Sequence, residues 1–325
     1  IKSREKRKGV ISTGLIGAGS FATTMLLPII KKLPDKYYIH TIMDMNGKKA
    51  FDAAMHFKAA NHSSSLEDIL SNDEIELVAI ATRHGNHADL VFQCLQANKN
   101  VYVEKPLAVT REQLDKIKKF YSDDSIKYKP LLTVGFNRRF SRYIIEAKKH
   151  VRNRINPLFI HYRMNAGYAS PSSWVHEDGG RIIGEACHIF DLLLFLTDSA
   201  VKDLSVASLN PTNGYYIRTD NKSITMTFED GSIAVLDYFA VGNKEFPKEY
   251  LEINYDNKTI TIDDYRNITG YGIKLENIKT KLPKKGHYEE WLALYYSLSQ
   301  TPPVWPIEFE QLIQTTELSF LAAEV

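Results

Sequence analysis

Cysteine is almost absent: Cys94 and Cys187 are the only two in 325 residues. Two thiols build no disulfide framework, and so low a count fits a reducing compartment, so the cytoplasm is expected. Long apolar runs are missing too. The longest, near Leu192–Leu196, is far too short to cross a bilayer, so no membrane partner is expected. Neither sign of charge dominates. Lys and Arg total 41 against 39 Asp and Glu, a net charge of +2, which gives no reason to expect nucleic acid as a partner. No internal repeat, low-complexity tract or secretory signal is evident. His84 and His87 have a loose i,i+3 spacing, but no Cys/His/Asp set completes a metal site, so none is expected. What remains is an ordinary globular composition, 44% hydrophobic and 25% charged, in a chain long enough for two domains.

Ile1–Lys8 is basic and polar and reads as a solvated leader or linker. The chain opens on Ile and closes in a helical pattern at Ala322–Val325, which we expect of a piece of a longer protein. Residues 9–137 alternate strand and helix. Strands are expected at Val10–Ile16, Tyr38–Met43, Leu77–Thr82, Asn100–Val103 and Leu131–Phe136. Helices are expected at Phe21–Leu33, Lys48–His56, Ser65–Leu70, Asn86–Ala97 and Arg111–Tyr121, with Ser65 and Thr110 as N-terminal caps. Single helices between strands imply parallel pairing and a doubly wound sheet, with ligands at the carboxyl ends of its strands.

Residues 138–325 change rhythm. Strands are expected at Leu158–Asn165, Asp203–Leu209, Ser223–Phe228, Ser232–Phe239, Tyr250–Tyr255 and Thr259–Asp263. Short turns at Glu229–Ser232 and Asp256–Lys258 make this an open, mostly antiparallel sheet. Helices at Tyr288–Ser299 and Phe309–Ala323 close the chain, with the option of packing back on the first domain. The fold class is therefore α/β, a doubly wound dinucleotide-type domain followed by an α+β domain.

Gly14–Ala22 is the most informative stretch. An apolar run enters a G-x-G-x-x-A turn and a helical pattern leaves it. Gly17 permits the tight turn, Gly19 lets backbone approach a pyrophosphate, and Ala22 lets helix pack on strand. Ser20 and Phe21 open the helix whose first N–H groups face the anion. Asp44 ends the second strand. It reads as an acceptor for the adenosine ribose, which favours NAD, or as a helix cap; Lys48 and Lys49 leave NADP open.

Four motifs in order carry a resemblance to the Gfo/Idh/MocA oxidoreductases: Gly17–Ala22, Ala81–His87, Glu104-Lys105-Pro106, and Gly179–Asp191. The chain looks most like the carboxyl-terminal half of bacterial two-part proteins in which a zinc-type dehydrogenase segment precedes such a unit. The resemblance implies a nicotinamide-dependent oxidoreductase acting on a hydroxyl of a sugar, sugar nucleotide or cyclitol, built as a dimer or tetramer through the open sheet. It also implies roles. Lys105 contacts the reacting oxygen and relays its proton, and His188 takes the hydroxyl proton. Glu104, Thr82, Arg83 and His87 border the cofactor. Glu104 orients Lys105, lies near the nicotinamide ribose or pairs elsewhere; Arg83 binds an anion or is simply exposed. Arg138 and Trp174 are read as substrate contacts, with core packing as the equal reading for Trp174. Asp191 is read as a substrate contact or a structural hydrogen bond.

The chain departs from the family pattern at Gly184, where an acid is usual. The acid here is Glu185, and a shift of one residue turns a helical side chain by about 100°. Glu185 is therefore a catalytic candidate only where the backbone leaves regular helix. Two alternatives come from the same fold: an NAD-dependent glycoside hydrolase and a dinucleotide-binding regulator without catalysis.

Overall fold

A computed structural model describes residues 9–325. The basic leader Ile1–Lys8 lies outside the described residues. The chain divides into two compact units, one running to Gly135 and taking in Glu290–Ile313, the other comprising Phe136–Glu289 and Gln314–Val325.

The first unit is a six-stranded sheet. Its strands are β1 (Ile11–Ile16), β2 (Tyr37–Met43), β3 (Asn61–Ser63), β4 (Leu77–Ile80), β5 (Asn100–Val103) and β6 (Leu132–Val134), in the order β3-β2-β1-β4-β5-β6. Every pair is parallel, and the order is that of the doubly wound dinucleotide-binding fold. All six residues of the central β1 are buried, as a strand covered on both faces requires. The sequence pattern misses β3 because Asn61-His62-Ser63 is polar and only three residues long.

The helix after the glycine turn contains a π-turn at Ala22–Leu26 and then a regular stretch, Leu27–Lys31. Pro28 explains this. It lacks an N–H, and its ring crowds the carbonyl four residues back, so a wider turn relieves the ladder there. Thr110 caps Arg111–Ser122 as expected, accepting from Gln113 N at 3.2 Å. Ser65 does not cap its helix, which spans only Glu67–Leu70. No side chain caps it; Ser63 Oγ, ahead of the helix, accepts from Ser65 N and donates to Asp68.

The second unit is a seven-stranded sheet of β7 (Phe159–Asn165), β8 (Val201–Ser208), β9 (Lys222–Phe228), β10 (Ile233–Phe239), β11 (Glu249–Tyr255), β12 (Lys258–Asp263) and β13 (Asn267–Tyr271). Its order is β13-β12-β11-β7-β10-β9-β8, antiparallel except for the parallel pair β7–β10. Asp256 and Asn257 both take positive φ in the two-residue turn between β11 and β12. The edge strand β13 escapes the sequence pattern because Gly270 interrupts it.

Burial alternates along β9, β10 and β11, so one face is core and the other half-exposed. The core face packs with helices Arg142–Val151 and Cys187–Thr197 and with Leu318 and Ala322 of the helix Phe309–Glu324. Arg142–Val151 is absent from the sequence reading although Tyr143, Ile144, Ala147 and Val151 form its buried stripe. No helix of the described residues is long and apolar enough to cross a membrane.

Candidate active site

In the first unit the glycine turn sits at the carboxyl end of β1. Gly17 has φ +96°, and a Cβ there would lie 2.5 Å from Ala81 O, so only glycine fits. Its N–H donates to Met43 O at 2.8 Å, tying the turn to the end of β2. Gly19 is the opposite case: a Cβ there would meet nothing within 4 Å. That open space over bare backbone is what a pyrophosphate needs, so the residues present fit a dinucleotide.

Asp44 is half-buried beside this turn. Its carboxylate accepts from Ala18 N and from Asn46 N, both at 2.8 Å. The cap of the following helix is Asn46, which accepts from Lys48 N and Lys49 N, so the capping alternative for Asp44 falls away. Thr23 and Thr24 hydroxyls donate back to Gly19 O and Ser20 O, while Ser20 and Phe21 are exposed at the helix start.

The loop after β4 carries Thr82, Arg83, His84 and His87. His87 is buried, with Nδ1 2.8 Å from Pro106 O and Nε2 3.2 Å from Thr82 O. It fastens this loop to the turn containing Lys105, the neutral ring donating its one N–H to one of these two carbonyls. Burial lowers its pKa. His84, which the sequence reading used only for spacing, is pushed down to about 3 by burial and then by the charge of Lys105. It is a neutral imidazole near the lysine. Gln113 braces the loop from behind, donating to Gly85 O at 2.9 Å. Arg83 is exposed.

Lys105 is half-buried two residues beyond β5. Glu104 before it is buried, donates its N–H to Ile80 O at 2.9 Å, and accepts from the Tyr102 hydroxyl at 2.7 Å. Burial raises its carboxyl to about 7 against the opposing pull of Tyr102 and Lys105.

In the second unit His188 stands in the first turn of Cys187–Thr197, only 7% exposed, with its ring edge-on to Phe136 at 6.2 Å. The preceding residues Ile182–Ala186 form a π-turn. A π-turn accommodates one extra residue in a helix. The one-residue displacement of the acid to Glu185 therefore falls where the backbone leaves regular helix.

Glu185 does not sit free. Lys248 Nζ is at 2.5 Å, Tyr238 OH at 2.6 Å and Arg181 NH2 at 3.2 Å from its carboxylate. Burial pushes its pKa up, but Lys248, Tyr238 and Arg181 outweigh it and hold the carboxyl at about 2. A carboxylate held ionised by three partners positions its neighbours.

Two expected substrate contacts are engaged elsewhere. Arg138 is buried and bidentate on Glu249, at 2.7 and 3.0 Å. Asp191 is fully buried and bidentate with Arg139, at 2.9 and 2.6 Å. Both pairs hold the turn Asn137–Phe140 to the sheet and helix, so the charged ends of Arg138 and Asp191 are engaged within the protein. Trp174 remains 47% exposed, which rules out core packing; elsewhere on the unit Tyr168 stacks on Tyr215 at 4.4 Å, both exposed. Among the described residues no group of three or more His, Cys, Asp or Glu could hold a metal ion.

The sequence reading missed Tyr102, Tyr238, Lys248, Arg181 and Glu290. Tyr238 and Lys248 reach Glu185, and Glu290 reaches Tyr102, only through the fold, while Arg181 is four residues from Glu185 and Tyr102 two from Glu104.

The model of an oxidoreductase family with an NAD-binding Rossmann fold, GFO_IDH_MocA, matches residues 11–128. The myo-inositol 2-dehydrogenase of Thermotoga maritima is 21% identical over 229 residues, 69% of this chain and 67% of that protein. The levoglucosan dehydrogenase of Pseudarthrobacter phenanthrenivorans is 28% identical over 203 residues, 57% of this chain and 51% of that one. The matched part thus spans half to two thirds of these curated relatives. Among solved structures, a UDP-N-acetylglucosamine 3-dehydrogenase from Acidithiobacillus ferrooxidans superposes with a TM-score of 0.79 at 17% identity, covering 97% of each chain. With the strand order, the glycine turn and the Glu104-Lys105-Pro106 tip all in place, the chain is similar to the Gfo/Idh/MocA oxidoreductases, the matched model lying within its first unit.

Proposed function

We propose that this protein oxidises a secondary hydroxyl of a sugar, sugar nucleotide or cyclitol, reversibly, with NAD. The observation that carries the reading is Lys105 at the carboxyl end of β5, in a parallel sheet whose first turn has room for a pyrophosphate at Gly19. Gly17, Gly19, Ser20, Phe21 and Ala22 would hold the pyrophosphate, and Asp44 the adenosine ribose. Thr82, Arg83 and Glu104 would border the nicotinamide half. Asp44 keeps acceptor capacity beyond its two backbone bonds, and a carboxylate there repels a 2′-phosphate, so NAD is preferred over NADP.

When bound, the nicotinamide supplies the two-electron acceptor for the carbinol carbon. His188 takes the hydroxyl proton, since an imidazole exchanges protons near neutral pH. The Lys105 ammonium stabilises the negative charge that develops on the oxygen and relays its proton. Glu185, fixed as a carboxylate three residues before His188, supports this helix end through Lys248, Arg181 and Tyr238. The exposed Trp174 ring supports contact with a carbohydrate face.

Lys105→Met tests the assignment. Turnover is expected to be abolished while NADH binding, followed by fluorescence, persists; near wild-type turnover overturns the role. Redox-neutral release of a sugar, without net NADH, would select the hydrolase alternative. The half-exposed face of the second sheet, with Ile233, Val235 and Phe239 on β10, is the surface on which a second copy docks. Light scattering of the wild type and of Val235→Glu reads that. We place the protein in the cytoplasm, in keeping with its two buried thiols, which form no disulfide.

A further inference from the structure

Two loops of the second unit carry aromatic rings, of which the proposed function uses only Trp174. Residues 166–180 follow β7 and hold Tyr168 and Trp174; residues 209–220 follow β8 and hold Tyr215 and Tyr216. Tyr168 lies flat on Tyr215, with centroids 4.4 Å apart and planes 7° from parallel. Tyr216 stands at right angles to both, 5.9 Å from Tyr168 and 4.9 Å from Tyr215. Seated over an outer face it would be far from the second ring, so these similar distances put it beside the stack. Each stacked ring therefore gives one face to its partner and turns the other outward. Tyr168 is 45% and Tyr215 55% exposed. Apolar rings gathered in the open on loops mark a surface that meets a ligand.

The bases of both loops are fastened to the helix start that carries His188, and the Arg181 guanidinium does the fastening. It donates to Ala166 O at 2.9 Å and to Gly167 O at 2.8 Å, where the first loop leaves β7. It reaches Asp220 Oδ2 at 3.4 Å, where the second loop ends, and Glu185 at 3.2 Å, three residues before His188. Leu209 N donates to Asn221 O at 2.9 Å and closes the second loop; within it Asn213 Oδ1 accepts from Tyr215 N at 3.0 Å. His176, two residues after Trp174, lies 3.6 Å from Asp220. The tyrosine stack and Trp174 thus share one frame with the start of the His188 helix.

Charge selects among the ligands such a surface could take. Residues 166–180 contain Glu177 and Asp178 but no Lys or Arg, and residues 209–219 contain Arg218 as their one charged residue. The Arg181 guanidinium at their base is engaged by two carbonyls and two carboxylates. A diphosphate or a sugar acid would meet excess negative charge here. The C–H face of a neutral pyranose, in contrast, packs on the electron-rich face of a tyrosine. We propose that the stack of Tyr168 on Tyr215 is a second sugar subsite, and that the substrate is a neutral glycoside of two or more rings. The ring to be oxidised lies toward His188, and its neighbour rests on the stack.

The inference rests on the oxidoreductase reading for the ring that reacts, and its primary test needs no turnover. Saturation-transfer NMR of the whole protein reads contact with soluble sugars: maltose, cellobiose and N,N′-diacetylchitobiose, their monosaccharides, and UDP-glucose. At least one disaccharide is expected to show transfer to both rings and to bind more tightly than its monosaccharide. Tyr215→Ala is expected to weaken that binding about tenfold or more and to lose transfer to one ring, while Tyr215→Phe, which keeps the aromatic face, binds as wild type. Transfer to no disaccharide, equal transfer in Tyr215→Ala, or binding of UDP-glucose that depends on Tyr215 overturns the proposal. Self-association lost in Tyr215→Ala with sugar contact unchanged assigns the stack to a second copy and overturns it as well. Should Tyr215→Ala lose the wild-type melting temperature, Tyr168→Ala carries the same test. The two readings fail separately. A disaccharide held through Tyr215 that yields no NADH with NAD removes the oxidation and leaves the subsite. NADH formed from a disaccharide at the same kcat/KM in Tyr215→Ala and wild type leaves the oxidation and removes the subsite.

Discussion

Glu185 shows how far a residue's chemistry depends on its neighbours. Alone, a glutamate on a helix next to a histidine is a natural acid or base. Here burial works against ionisation, and Lys248, Tyr238 and Arg181 overcome it, leaving the carboxyl at about 2. Its protonation does not change across the range in which an enzyme works. Glu185→Gln is therefore expected to leave the shape of the kcat/KM pH profile intact while lowering its height. Hydrogen bonds to a charged group contribute about 1.5–3 kcal/mol each, so the loss should be roughly ten- to a hundredfold. Disappearance of a limb of the profile in Glu185→Gln would show that the carboxyl titrates after all. His84 carries the same lesson with opposite sign: burial and Lys105 keep it neutral, so it adds no positive charge beside the lysine.

At the scale of elements, the glycine turn separates two kinds of constraint that a motif lumps together. Gly17 is required by the protein itself, through φ +96° and the 2.5 Å approach to Ala81 O. Gly19 is required by nothing in the protein, because its surroundings are open. Gly17→Ala is thus expected to destabilise the first unit by about 1–3 kcal/mol from backbone strain, with more from the clash. Gly19→Ala should leave the melting temperature of the free protein almost unchanged yet weaken NADH binding at least tenfold. Equal NADH affinity in Gly19→Ala and wild type would remove the turn from the cofactor site. The parallel rhythm, this turn and Lys105 were legible in the sequence because each is local: alternating periods, fixed glycine offsets, a strand end. The partners of Arg138, Asp191 and Glu185 were not. Glu249, Arg139, Lys248 and Tyr238 lie on other elements, and no spacing rule links them. The π-turn at Ile182–Ala186 sits between these cases. The displaced acid was visible, and its structural answer was not.

For the whole molecule, the buried titratable groups set a pH dependence of stability that differs between the two units. In the first unit His84 has a folded pKa of about 3, below its unfolded value near 6.5, so it contributes stability that is lost as pH falls below 6.5. Glu104 runs the other way. Its folded value of about 7 lies above the unfolded value near 4.5, so its contribution is full below 4.5 and is lost as pH rises to 7. Between pH 4.5 and 6.5 the unfolded chain gains one proton at His84 and the folded one holds one at Glu104. The two slopes cancel, and His87, lowered by burial, leaves only a modest loss toward acid. Glu104→Gln removes one side of that balance. Its first unit should lose about 1.4 kcal/mol for each pH unit below 6.5, where the wild type loses far less. The second unit has no such balance. Glu185 at about 2, Glu146 at about 2 and Glu249, held below the ordinary carboxylate range by Arg138 and Lys285 against burial, outnumber the raised Asp191 and Asp220. Its stability is present above pH 4.5 and drains away as pH falls from there. Urea titrations read by pulse proteolysis, with fragments assigned to each unit, separate the two. Between pH 7 and 5 the midpoint of the first unit should move in Glu104→Gln and hardly in wild type, while that of the second unit stays fixed in both. A first unit with the same acid slope in variant and wild type would mean that Glu104 is ionised throughout, and the opposition of the two buried groups would not exist.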